Sequence, residues 1–364
     1  MTFKLGWGMA RSCHAPPVAS RRFGTHFGDR SLRSPLRAPR LIAIFDQPID
    51  EARRLLATGA PVYLFVNPVE YHGPHLSLHN DALVSRGLAA DLHARLVRSR
   101  DWPFLGAADL EIGVDPCPGP GTRRTPLATA RALVREACRA LVELGARPVV
   151  LMTFHGSPLH SFAIEDGVDE LRSLGAQGIA PLNAVLTEQL TVDGSAFAPA
   201  VAHLAASDRE AVLAGLPHDF HAGFFETSLT LHYAPSSVSP RFRELAPCPE
   251  VTPDRALAAA ATVARSLGRT QLAIELEFAS VGAGWRALRP FPGYASRPHL
   301  ANAESGRLFA ATILDRYQRI VEDVLAGRAG SPPPIMQWLA AVSLGGRVGN
   351  LPIPSTQQVT RPLG

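Results

Sequence analysis

Lysine is nearly absent from this chain: of 36 basic residues only Lys4 is a lysine, and the rest are arginine. Chemistry that requires a buried lysine is thereby excluded from the body of the protein, both a phosphate-binding P-loop and a pyridoxal Schiff base. Cysteine is scarce too. Cys13, Cys117, Cys138 and Cys248 are far apart in sequence and form no Cys-x-x-Cys pair, so neither a disulfide framework nor a thiolate metal site is indicated. No run of 18 apolar residues occurs, and no apolar segment follows the first basic residues, so neither a membrane span nor a secretory signal is expected and a cytoplasmic location is the default. The nucleophile elbow Gly-x-Ser-x-Gly is missing. So is a Gly-x-Gly-x-x-Gly after a strand.

Charge is distributed unevenly. The first forty residues carry eight basic groups against Asp29 alone, a net +7, so that of the chain's +4 the remaining 324 residues hold −3. Residues 1–40 therefore read as a disordered Arg-rich arm, of the kind found in transit peptides, nucleic-acid arms or upstream extensions of a true start. With 364 residues and 46% hydrophobic content, the rest suffices for one main α/β domain, expected over 41–328, followed by a Pro/Gly-rich appendage over 329–364 that opens on Gly330-Ser331-Pro332-Pro333-Pro334.

From about residue 41 strand-like and helix-like segments alternate, which predicts an α/β fold with a mainly parallel sheet covered by helices. The clearest unit starts at Thr125-Pro126, read as an N-cap and a proline in the first helical position. Leu127, Ala130, Val134, Ala137, Leu141 and Leu144 continue on one stripe to Gly145, and Cys138 falls on the same core-facing side. The continuous apolar run 148–154 then reads as a buried strand that delivers His155 to its carboxyl end, where open α/β sheets gather their ligands.

The most informative stretch follows the strand-like run 61–66. Glu70, His72 and Asp81 lie within twelve residues that also hold His75 and His79. In an extended chain residues i and i+2 share a face, so Glu70 and His72 are expected to address one cavity. Asp81 sits where a loop passes into a helix with Leu88, Leu92 and Leu96 on its inner face, and an ordinary N-cap is the alternative to a ligand there. Burying two acids and several imidazoles without a cation costs several kcal/mol, about the desolvation penalty of the unpaired groups, so a hard or borderline metal is the economical partner. A second cluster runs from His218 and Asp219 through His221 to Glu226, Thr227 and Ser228. Glu226 lies beside two phenylalanines, which suits a desolvated acid, an acid held by a cation, or a capping glutamate on a helix starting at Thr227. An amphipathic helix is expected near 306–326.

Over roughly residues 45–326 the chain resembles the creatininase (creatinine amidohydrolase) family. The resemblance rests on Glu70-x-His72-Gly73-Pro74-His75-Leu76 with Asp81 nine residues after His72, on Pro120-Gly121-Thr122, on His155-Gly156, and on His221-Ala222-Gly223 through Glu226-Thr227-Ser228. It implies a three-layer α/β/α fold and a dinuclear site of two divalent ions, zinc, manganese or iron(II). Glu70 and His155 would hold one ion, His72 the other, and Asp81 would bridge them. Glu226 would complete the second ion's ligands or act as acid/base beside it, and His221 would handle the proton of the leaving nitrogen. The implied activity is hydrolysis of a non-peptide C–N bond, a cyclic amide or formamide, by a metal-bridged hydroxide, with a small-molecule amide as substrate and a homo-oligomer as the assembly. Neither a membrane nor a nucleic acid is expected as a partner. Three alternatives stay open: a peptide-processing member of the same family, a mononuclear hydrolase in which Glu226 is only a base, and a degenerate binding protein whose arm takes nucleic acid. The chain departs from the family pattern at Asn67-Pro68, at Tyr71 and at Ser157, where creatininases place a glutamate ligand two positions after the histidine.

Overall fold

The computed structural model describes residues 40–345, so the Arg-rich arm, Cys13 and the final residues of the chain lie outside the described part. Five strands form one sheet: β1 (Ile42–Ala43), β2 (Val62–Asn67), β3 (Leu105–Glu111), β4 (Pro148–Met152) and β5 (Gln177–Ile179). Their order is β1-β3-β2-β4-β5 and every pairing is parallel. β2 and β4 are buried along their whole length. Because side chains alternate along a strand, Val62, Leu64, Val66, Val149 and Leu151 enter one core while Tyr63, Phe65, Val150 and Met152 enter another.

Each core is closed by helices. α1 (Ile49–Leu56), α3 (Leu127–Leu144) and α4 (Pro158–Ser173) pack on the first face; α2 (Asn80–Leu96), α7 (Phe224–Tyr233) and α10 (Ala303–Leu325) pack on the second. Between them in sequence come α5 (Leu182–Gln189), α6 (Ala206–Gly215), α8 (Arg255–Ser266) and α9 (Thr270–Ala287). The result is the three-layer α/β/α arrangement. From β2 the chain moves outward to β3, and from β4 it moves outward the other way to β5, so the order reverses between β2 and β4. That reversal opens a crevice at the carboxyl ends of these two strands. Among the described residues no helix is long and apolar enough to cross a membrane.

Several expected boundaries shift for local reasons. Thr125 is not the cap of α3: the helix begins at Leu127 behind Pro126, and the Thr125 hydroxyl accepts instead from the Gly113 N–H at 3.3 Å. β4 stops at Met152, two residues short of the apolar run. α10 starts at Ala303 because the Asn302 side chain caps it, accepting from Ser305 N at 2.8 Å. Cys138 is fully buried on the inner stripe of α3, as the pattern predicts. Residues 331–339 are seated on the body: Ser331 Oγ accepts from Ala180 N at 2.9 Å, Asn183 Nδ2 donates to the Pro332 carbonyl at 3.0 Å, and Ile335 and Met336 are buried.

α7 and α10 approach so closely at Gly306 that a Cβ there would collide with the Ser228 carbonyl, a backbone atom with nowhere to move. Gly306→Ala is therefore expected to destabilise the protein by about 1–3 kcal/mol, the usual cost of overpacking. Urea denaturation checks this, and an unchanged midpoint would show that the two helices can separate without penalty.

Candidate metal centre

The sequence expectation that Glu70 and His72 share a strand face is corrected here. β2 ends at Asn67, and both residues lie on the loop beyond it. They converge because the His72 ring folds back so that its Nδ1 meets the Glu70 carbonyl at 3.0 Å, while Glu70 N bonds Leu78 O and closes the loop. Asp81 stands in the first turn of α2, behind His79, and makes no capping bond. His155 lies three residues past β4. α7 begins at Phe224, three residues earlier than expected, which places Glu226 in its first turn and His221 just ahead of it. Glu70, His72, Asp81, His155, His221 and Glu226, drawn from three loops and two helix starts, are all buried around the crevice.

Asp81 occupies the middle. Its Oδ1 is 3.1 Å from His72 Nε2 and its Oδ2 is 3.7 Å from His155 Nδ1, so its two oxygens face two different imidazoles. Glu70 Oε2 is 2.9 Å from His155 Nδ1 and 3.9 Å from His72 Nε2, and Glu226 Oε2 is 3.9 Å from His72 Nε2. Three groups of donors come within 4.8 Å of one another: Glu70, Asp81 and His155; His72, Asp81 and Glu226; and Glu70, His72 and His221. The first two share Asp81.

Backbone carbonyls settle the tautomers, since a carbonyl can only accept. His72 Nδ1 faces Glu70 O, His155 Nε2 faces Val114 O at 3.1 Å, and His221 Nε2 faces Tyr71 O at 2.9 Å, so each of these nitrogens carries the proton. The other nitrogen of each ring then turns toward carboxylate oxygens. Such an arrangement needs a positive charge between the two, either a proton or a metal ion. The electrostatics agree. Burial alone would lower His72 and His155, yet the facing carboxylates, Asp81 for the first and Glu70 for the second, outweigh it and raise them to about 10 and about 9. Burial raises Asp81, and it pushes Glu226 up to about 8. Glu70 is opposed by burial but held well below the usual carboxylate range by its imidazole neighbours, His155 foremost. Burial and the neighbouring His72 bring His221 down to about 3, which leaves its Nδ1 an open acceptor.

Asp81 Oδ2 is buried without any hydrogen-bond partner, and Glu70 Oε2 has one only when His155 Nδ1, 2.9 Å away, carries a second proton. Orphaned anionic oxygens cost several kcal/mol inside a protein, roughly the desolvation of an unpaired charged group. Carboxylate and imidazole donors without thiolate, together with these two oxygens, fit hard or borderline divalent cations. The residues present therefore suit the metal that the sequence motif implies.

Other residues hold the cluster, and the sequence reading did not single them out for it. Asn67 Nδ2 donates to Ser85 Oγ and its Oδ1 accepts from Phe154 N, each at 3.0 Å, which ties the loops after β2 and β4 to α2. The Cys117 N–H donates to Glu70 Oε1 and the Ala222 N–H to Glu226 Oε2, each fixing one carboxylate oxygen. Of the three histidines in the first motif only His72 joins the donors. His75 Nε2 bonds Thr227 Oγ1 at 2.9 Å and locks the loop to α7, and half-exposed His79 pairs with Glu111. A buried asparagine at the end of an apolar strand was the one legible sign of this support. The backbone donors leave no mark in sequence.

The cluster opens into a cavity of about 410 Å³ whose floor includes Glu70, Asp81, His155, His221 and Glu226.

Residues 47–321 match the family model described as Creatininase: creatinine amidohydrolase. Solved structures similar to the chain include a creatininase with Mn, a mutant creatininase of Zn-Zn type and a mutant creatininase complexed with creatine. Each is 19% identical with a TM-score of 0.50; each alignment covers 78% of this chain and 98%, 98% and 99% of theirs. At that identity they speak for the fold. No curated protein sequence matches the chain.

Proposed function

The chain belongs to the creatininase family, and from that premise we propose that it hydrolyses a non-peptide C–N amide bond at a centre built for two divalent ions. Family, fold and buried donors support a metal-dependent amidohydrolase. The observation that carries the finer reading is Asp81, whose two oxygens face His72 and His155 and which belongs to two donor triads at once. In this reading Glu70 and His155 would hold one ion, His72 and Glu226 the other, and Asp81 would serve both. Glu226 then stands in for the glutamate that Ser157 replaces. Bound there, divalent ions supply a Lewis acid for the carbonyl and bring the pKa of water from 15.7 to about 7.

The protein's own groups do the rest. Glu70 is oriented by the Cys117 N–H and Glu226 by the Ala222 N–H. His221, anchored through Nε2 to Tyr71 O, presents Nδ1 as the atom that would carry a proton to the departing nitrogen. His221→Gln keeps a donor for the Tyr71 carbonyl but lacks a basic nitrogen, so kcat is expected to fall by about 10²–10⁴ with metal content unchanged. An active His221→Gln enzyme would remove this residue from the chemistry.

Elemental analysis of purified wild type, followed by assay on lactams, formamides and short peptides, tests the function. About two ions per chain with turnover of a non-peptide amide is the expected result. One ion per chain would leave Glu226 as a base at a mononuclear site, and peptides as the sole substrates would reassign the bond.

A further inference from the structure

The cavity above the donor cluster has a wall that the family model does not reach. Residues 331–339 lie beyond the matched span 47–321, yet Ile335, Met336, Trp338 and Leu339 line it. This strap is fixed to the body through Ser331 and Asn183, and Met336 is held at φ +53°, a left-handed conformation unfavourable for a non-glycine residue. Such strain persists only where the surroundings over-determine it, and it tends to accompany binding sites. Beside the strap, α9 contributes Phe278, Trp285 and Arg286 to the same cavity. The two walls are therefore largely apolar and aromatic, with one guanidinium among them.

The charged group on these walls points to the polar part of the ligand. Arg286 Nη1 is 3.5 Å from Asp115 Oδ1, and Arg124 approaches the same oxygen at 3.6 Å, so two arginines share this carboxylate and the trio carries net positive charge. Asp115 itself lines the cavity and also has a left-handed backbone, at φ +55°. The indole Nε1 of Trp338 and the hydroxyl of Ser157, both on cavity-lining residues, are buried without a hydrogen-bond partner. An indole N–H can only donate, and a guanidinium only donates. Arg286 already has Asp115 as an acceptor, and the positive excess of the trio favours a second anion beside it.

We propose that the strap 331–339 and Arg286 form the specificity wall of this enzyme and select amides that carry a carboxylate together with a bulky apolar group. The carboxylate meets Arg286, and the apolar group lies between Met336 and Phe278. A 410 Å³ cavity suits a ligand of that size. This inference rests on the amidohydrolase reading for the reaction but not for the binding, so binding is tested separately.

The experiment is calorimetric titration of the manganese-loaded protein, and of the chelated protein, with 3-phenylpropionate, 3-phenylpropanamide and acetate. In both forms 3-phenylpropionate is expected to bind about tenfold or more tightly than either of the others, the usual margin for a charge-assisted pair. Arg286→Gln should erase the preference for acid over amide, and Arg286→Lys should restore part of it. A preference that survives Arg286→Gln would place the carboxylate elsewhere, on the metals if chelation abolishes it, and would overturn the assignment. Equal binding of acid and amide to wild type would do the same. Arg286-dependent binding by a protein that hydrolyses no amide would sustain the wall and defeat the proposed reaction, whereas hydrolysis indifferent to Arg286 would do the reverse.

Discussion

Asp81→Asn is expected to lower metal content from about two ions per chain to one or fewer and to reduce kcat/KM by at least about 10³. The substitution preserves shape and removes charge. One side-chain oxygen remains, whereas the carboxylate presents Oδ1 to His72 and Oδ2 to His155. An amide nitrogen in either place cannot ligate, and the anion shared by the two donor triads is lost. Lewis-acid stabilisation is worth several kcal/mol and each 1.36 kcal/mol is tenfold, which sets the expected loss. Stability should move the other way. Burial raises Asp81 and orphans its Oδ2, so metal-free Asp81→Asn should melt at or above the temperature of metal-free wild type, while the loaded variant melts below loaded wild type. Parallel elemental analysis, steady-state kinetics and calorimetry decide the matter. A variant that retains two ions and full activity would return Asp81 to an ordinary position at a helix start.

Chelation is expected to produce the second large effect, on the wild-type fold itself. The centre buries Glu70, Asp81 and Glu226 together, and a ligand that binds only the folded state stabilises it by mass action. An ion at about a thousand times its Kd contributes about 4 kcal/mol. At about 2 °C per kcal/mol for a chain of this length, removing it should lower Tm by about 8 °C. Adding back zinc or manganese should restore the original value, and the effect should shrink sharply in Asp81→Asn. If Tm ignored both chelator and added ions, no resident cation would be part of the fold.

How far the site was legible differs from residue to residue. Leu88, Leu92 and Leu96 announce α2 by their spacing and are buried as expected, and the run 148–154 announces a central strand, which forms over Pro148–Met152. These are local patterns, set by the periods of helix and strand. The motif around Glu70, His72 and Asp81 was recognisable because short-range chemistry survives in sequence. Its geometry was not, since the strand ends at Asn67 and the loop folds back instead of extending. Thr125 shows the same limit from the other side: a threonine before a proline has the composition of a cap, but the neighbouring Gly113 N–H claims its hydroxyl.

The sequence by itself determined which donors exist, that thiolate and lysine chemistry are out of reach, and that helices alternate with parallel strands, because composition and periodicity act over a few residues at a time. Only the tertiary structure decided that Asp81 stands between His72 and His155, that His75 locks a helix while His72 joins the cluster, and that Trp338 and Arg286 line one cavity. Those facts depend on residues separated by tens to hundreds of positions, brought together by the reversal of strand order between β2 and β4 and by the burial of both faces of the sheet. No local pattern encodes such a meeting.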